Sequence, residues 1–199
     1  MFTGLLDEKA EKAVVKLGGE VVDSIFKCTH LVCDQVRRTV KFLCGVSRGL
    51  VIVRPDWLHQ SEEQGVFQDP VTYFVRDASA EKKFKFRLTE SVERANQKGM
   101  LKGHKCFITA NVKPEPKQMA DIIKCSGGQL LKSMPKTSSG HTVVISCEDD
   151  EAICQPALLA GIPVVSAEFL LTGILRQEVD FELHKIFKEV HPCRSSSRR

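Results

Sequence analysis

The chain has 199 residues, 42% of them hydrophobic and 27% charged, with a formal net charge of +4. No apolar run approaches the ~18 residues of a membrane-spanning helix, and Met1-Phe2-Thr3-Gly4 leads into the charged Asp7-Glu8-Lys9 instead of a secretory leader. The positive excess is small for a nucleic-acid binder, and the eight cysteines include no CxxC pair, which argues against zinc and for reduced thiols in an intracellular chain.

In chain order, the pattern predicts a strand over 2–3 and a helix over 7–17 with Ala10, Ala13, Val14 and Leu17 on one face. Gly18-Gly19 ends that helix. Strands over 20–22 and 31–33 follow, then a helix from Thr39, a buried strand over 50–53 and a helix opened by Pro55 that carries Trp57 and Leu58. The same order then repeats: strand 106–109, helix 116–125, strands 130–131 and 143–146, helix 152–159, strand 164–165 and helix 168–175. Leu17-Gly18-Gly19-Glu20-Val21-Val22 itself recurs as Ser126-Gly127-Gly128-Gln129-Leu130-Leu131. A period of about 109 residues is too long for a solenoid, whose units run ~20–50 residues, so a whole domain is duplicated.

The expected architecture is α/β, with two tandem domains, each a small, mainly parallel four-stranded sheet flanked by helices. The boundaries fall at 1–66 and 104–187. Between them, 67–103 forms a packed linker with an amphipathic helix at Leu88, Val92 and Ala95. The basic segment 188–199 reads as a disordered tail, and Met134 to His141 as a flexible loop.

No nucleophile with its base and no phosphate loop opening a helix is present, so no enzyme, cofactor or metal is expected. The glycine pairs follow helices, where they serve turns and close packing. Glu148-Asp149-Asp150-Glu151 reads as acid complementing a helix start. The informative grouping is Thr3-Gly4 at the end of the first strand with Arg37-Arg38-Thr39-Val40-Lys41 at the start of the second helix. In a parallel layer these share one edge, where a hydroxyl, a glycine amide, helix N–H groups and an ammonium suit a phosphate monoester. The second copy places Thr109-Ala110 and the acidic run at the matching positions, so only the first copy can be an anion pocket.

Gly-Gly after the first helix, Thr-His-Leu-Val in the third strand and Trp57 in the last helix resemble the BRCT family, and residues 1–187 are similar to a BRCT tandem. That resemblance implies a phosphoserine-binding adaptor of the DNA damage response, located in the nucleus at damaged chromatin. Thr3, Gly4 and Lys41 would hold the phosphate in a groove between the copies. Arg38 would grip the free carboxylate of the peptide end, and Thr39, Pro114, Gln118, Glu168 and Thr172 would line the groove and orient Arg38. The implied partner is the phosphorylated C-terminal tail of the histone two-A variant that marks DNA breaks, with other phosphoserine proteins as further partners, no membrane and no direct DNA binding. The alternatives are a tandem that reads internal phosphopeptides and a nucleic-acid module using Arg37, Arg38, Lys41 and the tail. Because Met1 stands directly before Phe2, the first strand is short for this fold, and the chain is expected to be part of a longer protein.

Overall fold

Asp7 opens the first helix. Its carboxylate accepts the Ala10 N–H at 2.9 Å, and α1 runs Glu8–Lys16 with Ala10 and Ala13 buried. The computed structural model describes residues 1–5 and 7–187. They fall into two units, Met1–Met100 with Leu171–Glu178, and Leu101–Leu170 with the described residues from Val179. The tail expected over 188–199 lies outside the described residues.

In the first unit β1 (His30–Val32) leads through α2 (Val40–Ser47) to β2 (Val51–Val53), and the two strands pair in parallel. Next comes α3 (Asp56–Gln64). Phe2 adds one parallel bridge to Val32. Ala10, Val32, Val53, Trp57 and Leu58 form the core, with Phe2, Val14, Tyr73 and Phe74 against it. Trp57 donates its indole N–H to the Gln68 carbonyl at 2.9 Å and stacks on both His30 and Phe67. Burial holds the His30 imidazole below its usual pKa, which favours the neutral ring in the stack.

The linker carries more structure than its sequence pattern predicts. A 3-10 turn (Pro70–Tyr73) precedes α4 (Ala78–Phe84) and α5 (Leu88–Gln97). Asp77 caps α4 by accepting the Ala80 N–H at 3.0 Å.

The second unit opens with β3 (Lys105–Ile108), α6 (Pro116–Cys125), β4 (Gln129–Leu130) and β5 (Thr142–Ile145). A 3-10 turn (Glu148–Asp150) then leads into α7 (Glu151–Leu159), β6 (Val164–Val165) and α8 (Glu168–Leu171). The sheet order is β4-β3-β5-β6, and every pairing is parallel. A cluster of Val144, Cys154, Ala157, Leu158, Ile162 and Val164 fills the space beneath α7.

The helix expected over 168–175 is interrupted at Thr172 and resumes as α9 (Gly173–Arg176), which packs with α2 and α5 in the first unit. The break falls beside Gly173, a weak helix former. A short α10 (Phe181–His184) follows.

The four-stranded sheet expected in the first copy is not found among the described residues: it has β1, β2 and the Phe2 bridge, and Glu20–Val22 is not a strand. In the second copy β4 pairs with Lys105 and Cys106, the first two residues of β3, whereas Phe2 corresponds in register to Ile108, the last. Val21 and Val22 instead line a cavity of about 370 Å³ with Phe2, Val14, Trp57 and Phe67. The glycine pairs behave as read: Gly18 and Gly127 adopt φ of 83° and 80°, and a Cβ on Gly19 or Gly128 would lie 2.9 Å from Val14 or Ile123.

Trp57→Ala should lower the stability of the first unit by about 3–5 kcal/mol, the usual cost of deleting a buried aromatic. Urea unfolding followed by far-UV circular dichroism checks this, since Trp57 is the chain's single tryptophan and fluorescence would be lost with it.

Candidate functional site

Helix α2 is buried along nearly its whole length, from Phe42 through Ser47. That burial fixes what its first turn presents. Thr39 caps the helix, its Oγ1 accepting the Phe42 N–H at 3.2 Å, and Lys41 is left facing solvent. Lys41 makes no ion pair among the described residues.

Thr3 reaches the same edge from the other side. Its N–H donates to the Val32 carbonyl at 3.1 Å, the residue is 6% exposed, and its Oγ1 lies 3.0 Å from Thr39 Oγ1. Because Thr39 Oγ1 already accepts from Phe42, the Thr39 hydroxyl is suited to donate to Thr3, which leaves the Thr3 proton for a ligand. Gly4 follows with φ of 75°. A Cβ there would stand 2.7 Å from Arg37 Cδ and 2.8 Å from Arg37 Nε, so only glycine fits.

Thr3, Gly4 and Lys41 line one cavity of about 250 Å³. Met1, Phe2, Leu5, Val21 and Val22 complete it, and Glu11 and Asp23 add carboxylates from α1 and the loop beyond it. Those carboxylates make their side of the cavity unfavourable to an anion and leave the side of Thr3, Gly4 and Lys41 the more positive.

Arg38 is positioned by elements far away in sequence. Its Cζ lies 4.7 Å from the centre of the Phe84 ring at the end of α4, a cation–π contact. Its Nη1 donates to Thr172 Oγ1 at 3.4 Å, and Thr172 is 7% exposed. Arg37 pairs with Asp34 at 3.0 Å. Asp34 is pushed up by desolvation, but the Arg37 hydrogen bond and charge hold its carboxyl below the usual range. The first unit therefore brings together Thr3, Gly4, Arg38, Thr39, Lys41 and Thr172. Pro114, Gln118 and Glu168 belong to the second unit: Pro114 and Glu168 are half-buried, and Gln118 is exposed in the first turn of α6.

At the matching strand end of the second unit, Thr109 Oγ1 lies 2.9 Å from Ser146 Oγ, and the corresponding place is filled from within. Asp150, only 1% exposed, accepts the Asn111 backbone N–H at 3.1 Å and its side-chain amide at 2.7 Å. The Thr109 hydroxyl leads the interactions that hold the Asp150 carboxyl below its usual pKa despite desolvation. The acidic run thus does more than complement a helix start, because one of its members is a buried internal anion.

Cys28, Cys33, Cys44, Cys106 and Cys154 are buried and form no disulfide, and burial pushes Cys33 and Cys106 up to about 12. Cys147, half-buried, lies 3.7 Å from Asp150 Oδ2.

Both units are BRCT domains, and the chain belongs to the tandem BRCT family. A BRCT domain model matches residues 99–184, and the model of the BRCT domain of regulator of Ty1 transposition protein 107 matches residues 1–75. Among curated relatives, mediator of DNA damage checkpoint protein 1 of Homo sapiens is 46% identical over 178 residues, 89% of this chain but 8% of that protein. PAX-interacting protein 1 of Bos taurus is 38% identical over 198 residues, covering 93% of this chain and 20% of the relative. The chain thus spans a small part of the relatives it matches. The solved BRCT5–BRCT6 pair of S. pombe Brc1 overlays with a TM-score of 0.76 at 24% identity, over 94% of this chain and 96% of that one. Rtt107p, solved in complex with a phosphorylated histone of the two-A class, gives a TM-score of 0.64 at 15% identity, over 90% and 87%. At these identities the overlays establish the fold.

Asp150→Ala should cost the second unit about 1–3 kcal/mol, the range for hydrogen bonds to a charged acceptor. The pH dependence has a definite sign. A carboxyl with a lowered folded pKa contributes fully above the ordinary value of about 3.9, and its contribution is lost as pH falls through the folded value. Thermal melts between pH 7 and pH 2 should show a steeper acid loss for the wild type than for Asp150→Asn.

Proposed function

We propose that this chain is a non-catalytic module that binds a phosphoserine peptide and, through it, places its parent protein on phosphorylated chromatin in the nucleus. The observation that carries the reading is one cavity in which a threonine hydroxyl, a glycine amide and a lysine ammonium without an ion pair face the same space. A phosphate dianion uses all three: it accepts from Thr3 and Gly4 and pairs with Lys41 as a point charge. Phosphorylation is then the switch, adding about −1.5 to −2 charge and three acceptor oxygens to the peptide.

Arg38 is assigned to a carboxylate at the free peptide end. A guanidinium binds a carboxylate bidentately, and the contact with the Phe84 ring holds the plane of this one in place. Similarity to mediator of DNA damage checkpoint protein 1 supports the phosphorylated tail of the break-marking histone two-A variant as the partner. Pro114, Gln118 and Glu168 belong to the proposal as peptide-facing residues of the second unit.

Lys41→Met should weaken the phosphopeptide about 10- to 100-fold, equivalent to one charge-assisted hydrogen bond, and leave the fold intact. Calorimetry with the histone tail peptide as phosphorylated free acid, phosphorylated amide and unphosphorylated free acid checks this. Retained phosphate selectivity in the variant would remove Lys41 from the pocket. In the same experiment, Arg38→Gln should abolish the preference for free acid over amide. Equal binding of acid and amide by the wild type would point instead to an internal-phosphopeptide reader.

A further inference from the structure

Arg37 stands beside the proposed phosphate site, yet the reading above gives it no role. Its stem lies on Gly4 so closely that a Cβ there would meet Cδ and Nε at 2.7 and 2.8 Å. Its Nε is buried and finds no hydrogen-bond acceptor. A buried donor without a partner is destabilising, so its presence needs a reason. The other end of the guanidinium is tied to Asp34 at 3.0 Å, with both side chains about two-fifths exposed at 40% and 44%. An ion pair so wet is worth little. It is a contact that a stronger anion can replace.

We infer that Arg37 is a second cation of the phosphate site, which exchanges Asp34 for the phosphate of the bound peptide. The inference rests on the phosphopeptide reading and extends it. The residue that crowds the Gly4 backbone carries an N–H lacking an acceptor, next to the amide assigned to the phosphate. Lys41 supplies one positive charge at this site, whereas a phosphate carries nearly two negative ones. Arg37 supplies the second, with planar donor geometry that matches phosphate oxygens. Asp34 then acts as an internal competitor that occupies Arg37 in the free protein. Arg37 and Arg38, adjacent in sequence, serve different anions: phosphate for the first and the chain end for the second.

The test uses the full chain and the same three peptides. Arg37→Gln should weaken the phosphorylated free acid and the phosphorylated amide alike by about 10-fold, with the acid-to-amide ratio and the unphosphorylated baseline unchanged. Asp34→Asn should tighten both phosphopeptides by about two- to fivefold, the size of a weak surface pair removed. This second variant separates the roles, because a purely structural Arg37 that props Gly4 would lose its anchor in Asp34→Asn and binding would weaken. Arg37→Gln within about twofold of wild type, or a weaker Asp34→Asn, overturns the role of Arg37 while leaving the site itself standing. A wild type that does not distinguish phosphorylated from unphosphorylated peptide overturns the reading beneath it.

Discussion

The first unit depends on the burial of α2. A helix with Phe42, Leu43, Cys44 and Val46 all removed from water gains ~1.5–3 kcal/mol for each large apolar side chain and has no freedom to rotate. Leu31 of β1 comes within 2.8 Å of where a Cβ on Gly45 would be, so helix and sheet are locked at contact distance. Lys41 is the side chain of the first turn that this packing leaves outside. The cap at Thr39 then ties the helix start to the strand end through the Thr3 hydroxyl. The cavity at this edge is thus set by packing, and under the proposed function its donors would be held in place before a ligand arrives, which lowers the entropy cost of binding.

Arg38 owes its position to a different part of the chain. The Phe84 ring comes from the linker and Thr172 from a segment 134 residues away in sequence. The surrounding backbone is held by further long-range bonds: Ser91 donates its hydroxyl to the Leu175 carbonyl, Arg176 Nε donates to the Phe84 carbonyl at 2.8 Å, and Arg94 donates to the Arg176 carbonyl at 3.2 Å. These bonds make 67–100 and 171–178 structural parts of the first unit. Changes in the linker are therefore changes to the surroundings of Arg38.

Local pattern made most of the fold legible. Pro116 opens α6, and the predicted span 116–125 matches the observed helix. The Gly-Gly pairs marked the two helix ends, and the apolar runs at Leu31 and Val143 marked the parallel strands. The grouping of Thr3, Gly4 and Lys41 could also be read, because a parallel layer forces strand ends and helix starts to one edge. What could not be read depends on long-range partners. Glu20-Val21-Val22 has strand composition but no neighbouring ladder to join. Asp150 looks like its acidic neighbours and differs only in turning inward to Asn111. Phe84 is one aromatic among several until the linker folds back over Arg38. Asp77 before Ala78-Ser79-Ala80-Glu81 was a usable signal for α4, since a side-chain acceptor ahead of good helix formers marks a helix start.

The internal carboxylate of the second unit separates the regulation of the two halves. At its strand end, the backbone and side-chain donors of Asn111 are already saturated by a ligand encoded in the sequence. An acceptor built into the chain needs no dissolved anion to meet those donors, so this strand end is complete within the unit itself. Thr3 of the first unit meets the hydroxyl of Thr39 instead of a buried carboxylate, and the stability of that unit gains RT ln(1 + [L]/Kd) only when a partner is present. The duplicated domain is thereby an asymmetric pair: one strand end closed by an internal carboxylate, the other by a pair of hydroxyls.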